Sequence, residues 1–409
     1  MPVGRYANIP LQDTLDKDRN GAIFLLRKEP VQDVAIKMAG WTIEVRRGLK
    51  AVVVHGRKGK AFEDTFDHAL LAANNGLDYM SFRGQCDVAI TSAFDDCIVW
   101  WPESDRVVMR TQMTYTSVSH MSATAVALDS AGREIPQAPA PTPLQHDAFR
   151  YLRMSRTSEY LYDSHRNMFL ALESILSEIH PRTEDGERLW FRNALREADK
   201  IEPISTLAAP NVSNPLNWIC NNLYSNERSG LMHAKSNSSY HLPQDHRKRK
   251  RIESSLRRLS NYTIRLLEKQ LGITHNSGGL FQPGWEMMMR GFLPKMRLAV
   301  NDDQTELNAD SDTQPSNAEG SSVVVLSQGP VVADGDEPFV ITKMGDCSRG
   351  DLEQLNGIYK IGLFSEDNEL AIASEFFAGL HLEDGVDRFE VKLGMRNVNS
   401  TGPRSHFSA

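Results

Sequence analysis

Hydrophobic and polar positions divide the chain into three stretches of different period. In the first, "WTIEVRRGLKAVVVHG" (41–56) is dense in β-branched residues and predicts strand. "FEDTFDHALLAANNGLDYMS" (62–81) changes period: Phe62, Phe66, Ala69, Leu70 and Ala73 recur at helical spacing. Strand patterns return in "DVAITS", "CIVWW", "RVVMRTQMTYTSV" and "MSATAVALD", followed by the turn-forming "SAGRE". Residues 1–140 therefore predict a mixed α/β domain, a candidate sensor or partner-binding module. "PQAPAPTP" (136–143) closes it as a stiff, extended linker, because four prolines in eight residues suit neither a helix nor a central strand.

Residues 144–275 are helical in pattern. Leu161, His165, Met168, Leu172, Ile175 and Ile179 line one face of the first long helix, widened by Phe169 and Leu176. A second helix is expected in "EDGERLWFRNALREADK". A third should begin at Asn214-Pro215, a capping residue followed by proline at the first helical position. A fourth should run from about Pro243 to Leu271, with Gly272 as its stop. Four such helices predict a central all-α bundle. In residues 276–409, "FLPKMRLAV", "SVVVLS", "PFVITKM", "LAIASEFFAGLHL" and "DRFEVKLGM" predict a β-rich region. It is interrupted by the acidic segment 301–321, which is too polar to pack and reads as a disordered linker. The expected fold class is α+β multidomain: a central helical bundle between an N-terminal mixed α/β domain and a C-terminal β-rich region.

Composition bounds the function. The net charge of -7 excludes coating of nucleic acid by bulk charge and leaves local basic patches. Four cysteines without a Cys-x-x-Cys pair argue against a zinc knuckle or a redox motif and fit a reducing compartment. The N-terminus lacks the apolar core of a signal peptide, and no apolar run approaches the ~18 residues needed to span a bilayer. A cytoplasmic protein without a membrane partner is expected.

The candidate chemistry lies in "NNLYSNERSGLMHAKSN" (221–237), where Arg228 precedes His233 by five positions. Spacing alone says little, since about one such pair is expected by chance in a chain of this composition. On a regular α-helix, residues five apart point about 140° away from each other. Gly230 between them permits a break that would let the side chains converge. Arginine grips phosphate with a planar fork and histidine moves protons near neutral pH, so together they suit metal-free RNA cleavage. The structural alternative is an arginine paired with Glu227 or another acid, and a packed histidine. Downstream, "HRKRKRIESSLRRL" (246–259) holds seven basic residues in fourteen. Arg247, Lys248, Arg251 and Arg258 fall near one side of the helix, as either a solvated face or an RNA-tracking surface.

Two further patterns lack the spacing that their chemistry requires. His233, His241 and His246 match no common metal-ligand spacing, so neither metal nor cofactor is expected. "HGRKGK" (55–60) lacks the Gly-x4-Gly-Lys-Ser/Thr of a phosphate loop and reads as a turn.

"LYSNERSGLMHAKS", with its Arg-x4-His, resembles the signature of the HEPN superfamily, and "RNMFLALESIL" resembles the first long helix of HEPN domains in bacterial defence and methylamine-utilisation accessory proteins. The resemblance covers about a third of the chain. It implies a homodimer with Arg228 and His233 as the catalytic pair of a metal-independent endoribonuclease, in phage defence or as a toxin, with RNA and a possible defence-system partner protein as partners. Lys235 adds a candidate RNA contact. Two positions depart from the family pattern. Ser229 follows the arginine where many nucleases have Asn, Asp or His, and Lys235 stands where one version has tyrosine. Some members have lost cleavage and serve as dimerisation or RNA-binding modules within larger complexes, which is the alternative reading.

Overall fold

The structure, a computed structural model, describes residues 2–12, 20–56, 59–91, 93–117, 130–134, 143–158, 160–183, 186–232, 246–273, 282–305, 320–333, 340–365, 370–374 and 378–397. They form two units, one built from 1–117 together with 281–397 and the other from 118–280.

The first unit is organised by a nine-stranded mixed sheet. In spatial order its strands are Ser327–Ala333, Val340–Ser348, Val386–Asn397, Arg106–Ser117, Cys97–Glu103, Asn20–Leu25, Ala51–Gly56, Trp41–Val45 and Val34–Met38. Its centre joins the two ends of the sequence: Val386–Asn397 runs parallel to Arg106–Ser117, with Phe389 opposite Met109 and Leu393 opposite Met113. Two ion pairs span the same distance in sequence. Arg396 forks onto Asp95 from its two terminal nitrogens, and Arg110 Nε meets Glu390 at 2.7 Å. One face of the sheet is covered by α1 (Phe62–Phe82), which packs Phe66, Ala69, Leu70, Ala73 and Leu77 into a core with Phe24, Val52, Val54 and Val99.

This overturns the expected fold class. The protein is mixed α/β around one large sheet, not a central all-α bundle between two separate flanking domains. The physical reason lies in "RVVMRTQMTYTS". Val107, Val108, Met109 and Thr111 are fully buried, so this strand is covered on both faces and needs a partner along each edge. Cys97–Glu103 supplies one edge, and the other is filled from nearly 300 residues downstream.

Residues 297–374 add a four-stranded sheet in which Arg297–Asn301 pairs with both Val323–Val325 and Lys360–Phe364. The expected acidic linker begins here as ordered chain. Asn301 ends a strand, and buried Asp303 pairs with Lys360 Nζ at 2.6 Å. The rest of that segment, 306–319, lies outside the described residues, as do most of the proline-rich linker and "MSATAVALD".

The second unit is helical: α2 (Asp147–Thr157), α3 (Leu161–Ile179), α4 (Glu187–Ala198), α5 (Pro215–Trp218), a π-helix (Ile219–Arg228), α6 (Ser229–Met232) and α7 (His246–Leu271). Asn214 caps α5 by accepting from the Asn217 N–H at 3.0 Å, with Pro215 at the first position. Gly272 takes a left-handed φ of 64° just past α7. The α3 face read from the sequence is buried except at half-buried Ile179, and Phe169, Phe191 and Tyr224 form an aromatic stack with centroids 5.5 and 4.9 Å apart. An eighth helix, α8 (Gln282–Phe292), belongs to the first unit.

Candidate functional site

The segment carrying Arg228 is not α-helical. From Ile219 to Arg228 the backbone follows the wider π spacing, in which positions five apart stack. Two serines use that spacing: Ser225 Oγ donates to the Cys220 carbonyl at 3.0 Å and Ser229 Oγ to the Tyr224 carbonyl at 3.3 Å. The irregularity thus sits before Arg228, not at Gly230, which is buried inside α6 with a right-handed φ.

Arg228 ends the π-helix with its guanidinium largely enclosed. Its terminal nitrogens approach Glu187 at 3.4 and 3.5 Å and Glu173 at 3.5 Å. It also lies over the rings of Tyr224 (5.0 Å) and Phe169 (5.8 Å). Its buried Nε has no acceptor. The Glu173 carboxyl is pushed up to about 6, chiefly by burial; Arg228 opposes the shift and Glu187 adds to it. The Tyr224 hydroxyl donates to Glu187 at 3.0 Å, and burial together with that bond pushes it up to about 12. Of the acids the sequence offered as partners of Arg228, its chain neighbour Glu227 is not the one it meets. The acids that hold it lie 41 and 55 residues away.

Glu227 points elsewhere and is fully buried. Its carboxylate accepts from Arg251 Nε at 3.1 Å and from Ser255 Oγ, and lies 3.7 Å from His165 Nε2. Burial alone would raise its pKa. His165, Ser255 and Arg251 outweigh burial and hold the carboxyl below its ordinary range. His165, read from the sequence as one more position on the core face of α3, is completely enclosed, with Nδ1 unpartnered. It also reaches the cleft beside Arg228. That cleft runs between His165, Arg166 and Phe169 of α3 and Arg228, Leu231 and Met232. It is narrow, well below the ~300–1,000 Å³ of ordinary ligand pockets. A shared polar signal could have found this network: His165, Glu227 and Ser255 each interrupt an otherwise apolar helical face.

The other candidates are placed as follows. His233 and Lys235 lie outside the described residues. Arg251 is tied to Glu227 and to Asn222 Oδ1 (3.1 Å). Arg258 stacks over Trp218 at 5.5 Å and donates to Ser254 at 2.8 Å, and burial lowers its pKa. Lys248 is half-buried and Arg247 stands in the first turn of α7. Arg249, in the same basic run, is buried within 3.5 Å of Glu253. The run is therefore in good part a set of arginines engaged with the protein itself.

Among the described residues, no group of three or more His, Cys, Asp or Glu side chains is arranged to hold a metal ion, and no helix is long and apolar enough to cross a membrane. Comparison with protein-family models, with characterised proteins and with solved structures gives no match.

Proposed function

We propose that the chain is a metal-independent endoribonuclease of the HEPN type, cytoplasmic and homodimeric, working in phage defence or as a toxin. Arg228 would clamp phosphate and His233 would be the general acid or base. The observation that supports it is the position of Arg228, on a cleft and at the end of a π-helix, a geometry that recurs at functional sites. In the reaction the 2′-oxygen attacks phosphorus and gives its proton to the base. The P–O5′ bond breaks, the leaving oxygen takes a proton from the acid, and a 2′,3′-cyclic phosphate and a 5′-hydroxyl result. Arginine would stabilise the charge building on the phosphorane. Since Glu187 and Glu173 already occupy the guanidinium, RNA phosphate must displace the more exposed of them, Glu187. The cleft is also too small for a nucleotide, so a second protomer or a shift of exposed Met232 would complete it.

The test is incubation of purified protein with labelled single-stranded RNA in EDTA. Cleavage to cyclic phosphate ends should fall about 100-fold or more in both His233→Ala and Arg228→Ala. A second reading has its own observation. An arginine whose terminal nitrogens meet two carboxylates and whose plane lies over two rings is already engaged as a structural residue. On that reading the helical unit is a non-catalytic dimerisation or RNA-binding module within a larger complex. Intact RNA bound by a dimer, with no cleavage by wild type, would establish it.

A further inference from the structure

The first unit holds a small pocket, partly open to solvent, beside the strand Leu380–Leu382. Its floor is apolar, made by buried Leu352, Ile358 and Leu380. Two nitrogen-bearing side chains, Arg349 and His381, complete it, and no carboxylate lines it. Arg349 follows the strand Val340–Ser348, and its backbone N–H donates to the Asp387 carbonyl at 3.1 Å. Among the described residues its guanidinium has no side-chain partner, and its Nε is buried without an acceptor. His381 lies edge-on to Tyr359 with ring centroids 6.1 Å apart. Its imidazole rests on Gly357, where a Cβ would come within 2.8 Å of the ring, and φ there is 129°. Glycine is required at that point for the ring to sit where it does. Neither ring nitrogen has a hydrogen-bond partner among the described residues. Arg5, on the strand Gly4–Tyr6 that pairs antiparallel with Leu380–Leu382, lies opposite His381 and adds positive charge nearby. Burial and then Arg5 hold the imidazole below its usual pKa, so at neutral pH it offers one N–H.

An unpaired guanidinium fork, a neutral imidazole and a short aliphatic floor define a ligand chemistry. We propose that this pocket binds a small carboxylic acid with a short apolar body, the carboxylate on Arg349 and His381 and the body against Leu352, Ile358 and Leu380. The planar fork matches carboxylate better than it matches a neutral polar group. The pocket is small and open to solvent, so it suits a short apolar body rather than a long chain. The inference is independent of the ribonuclease reading.

Calorimetric titration of the full chain with hexanoate, hexanol and acetate separates the contributions. Hexanoate should bind saturably at one site, and hexanol (tail without charge) and acetate (charge without tail) at least about tenfold more weakly. Arg349→Gln should weaken hexanoate about tenfold or more, and Arg349→Lys by less. In wild-type protein, hexanoate should move the His381 ring proton resonances along the same saturation curve, a readout that needs no variant to fold. Unsaturable hexanoate, an unmoved His381, or equal affinity in Arg349→Gln would overturn the proposal. Acetate or inorganic phosphate binding as tightly as hexanoate would overturn the role of the apolar floor.

Discussion

A carboxylate as enclosed as Glu227 survives only because each oxygen has a donor. Replacing it with alanine leaves the buried Ser255 hydroxyl and His165 ring without their acceptor and should cost about 1–3 kcal/mol, read by urea unfolding. The sign with pH follows from its depressed folded pKa. The contribution is complete above the ordinary carboxylate value and is lost as pH falls through the folded one, so acid should erode wild-type stability more steeply than Glu227→Gln. Glu173 works the other way. Its pKa of about 6 is raised, so its charged form opposes folding, and stability should drop by about 2 kcal/mol or less between pH 4.5 and 6. In Glu173→Gln that drop should vanish. Glu187→Gln separates the two readings of Arg228. If the arginine is a phosphate clamp, freeing it should tighten RNA binding several-fold in a filter-binding assay; if it is structural, RNA affinity should stay level while Tm falls. None of these partnerships was legible in the sequence. Adjacent residues of any helix point in different directions, so Glu227 and Arg228, neighbours in the chain, face different surroundings, and each finds partners a turn or a helix away.

Elements were more legible than contacts. The apolar stripes of α1, α3 and α7, the Asn214-Pro215 start and the Gly272 stop all follow local rules, and the structure has them. Removing the cap by Asn214→Ala should cost about 1 kcal/mol and lower Tm by a few degrees, measured by thermal unfolding. The π-helix escaped because apolar periodicity over ten residues does not separate five-residue from four-residue stacking. Only the spacing Cys220–Ser225 and Tyr224–Ser229 hinted at it, through hydroxyls that reach carbonyls five residues back. Gly230 was a misleading signal, since a glycine inside a helix also serves close packing, and here it is buried.

At the scale of the whole molecule, sequence order hid the architecture. Patterning showed many strands before and after the helices, but register and partner choice are non-local, and a parallel pair needs no nearby turn to announce it. The paired ions Asp95–Arg396 and Arg110–Glu390 are separated by about as many residues as the strands they fasten. Residues 1–140 expressed alone should therefore remain unfolded or aggregate by circular dichroism and light scattering. Co-expression with 281–409 should restore a soluble complex.

The parallel strand Val386–Asn397 also sets a timetable for synthesis. The strands of residues 20–117 leave the ribosome with one long apolar edge open, and it stays open until some 280 further residues have been made. In the interval the helical unit emerges and can complete its own core. The nascent chain thus spends most of its elongation with a β-branched strand edge exposed to its neighbours on the polysome. Slowing translation should lengthen that exposure and raise the aggregated fraction, whereas chaperones that shield strand edges should lower it.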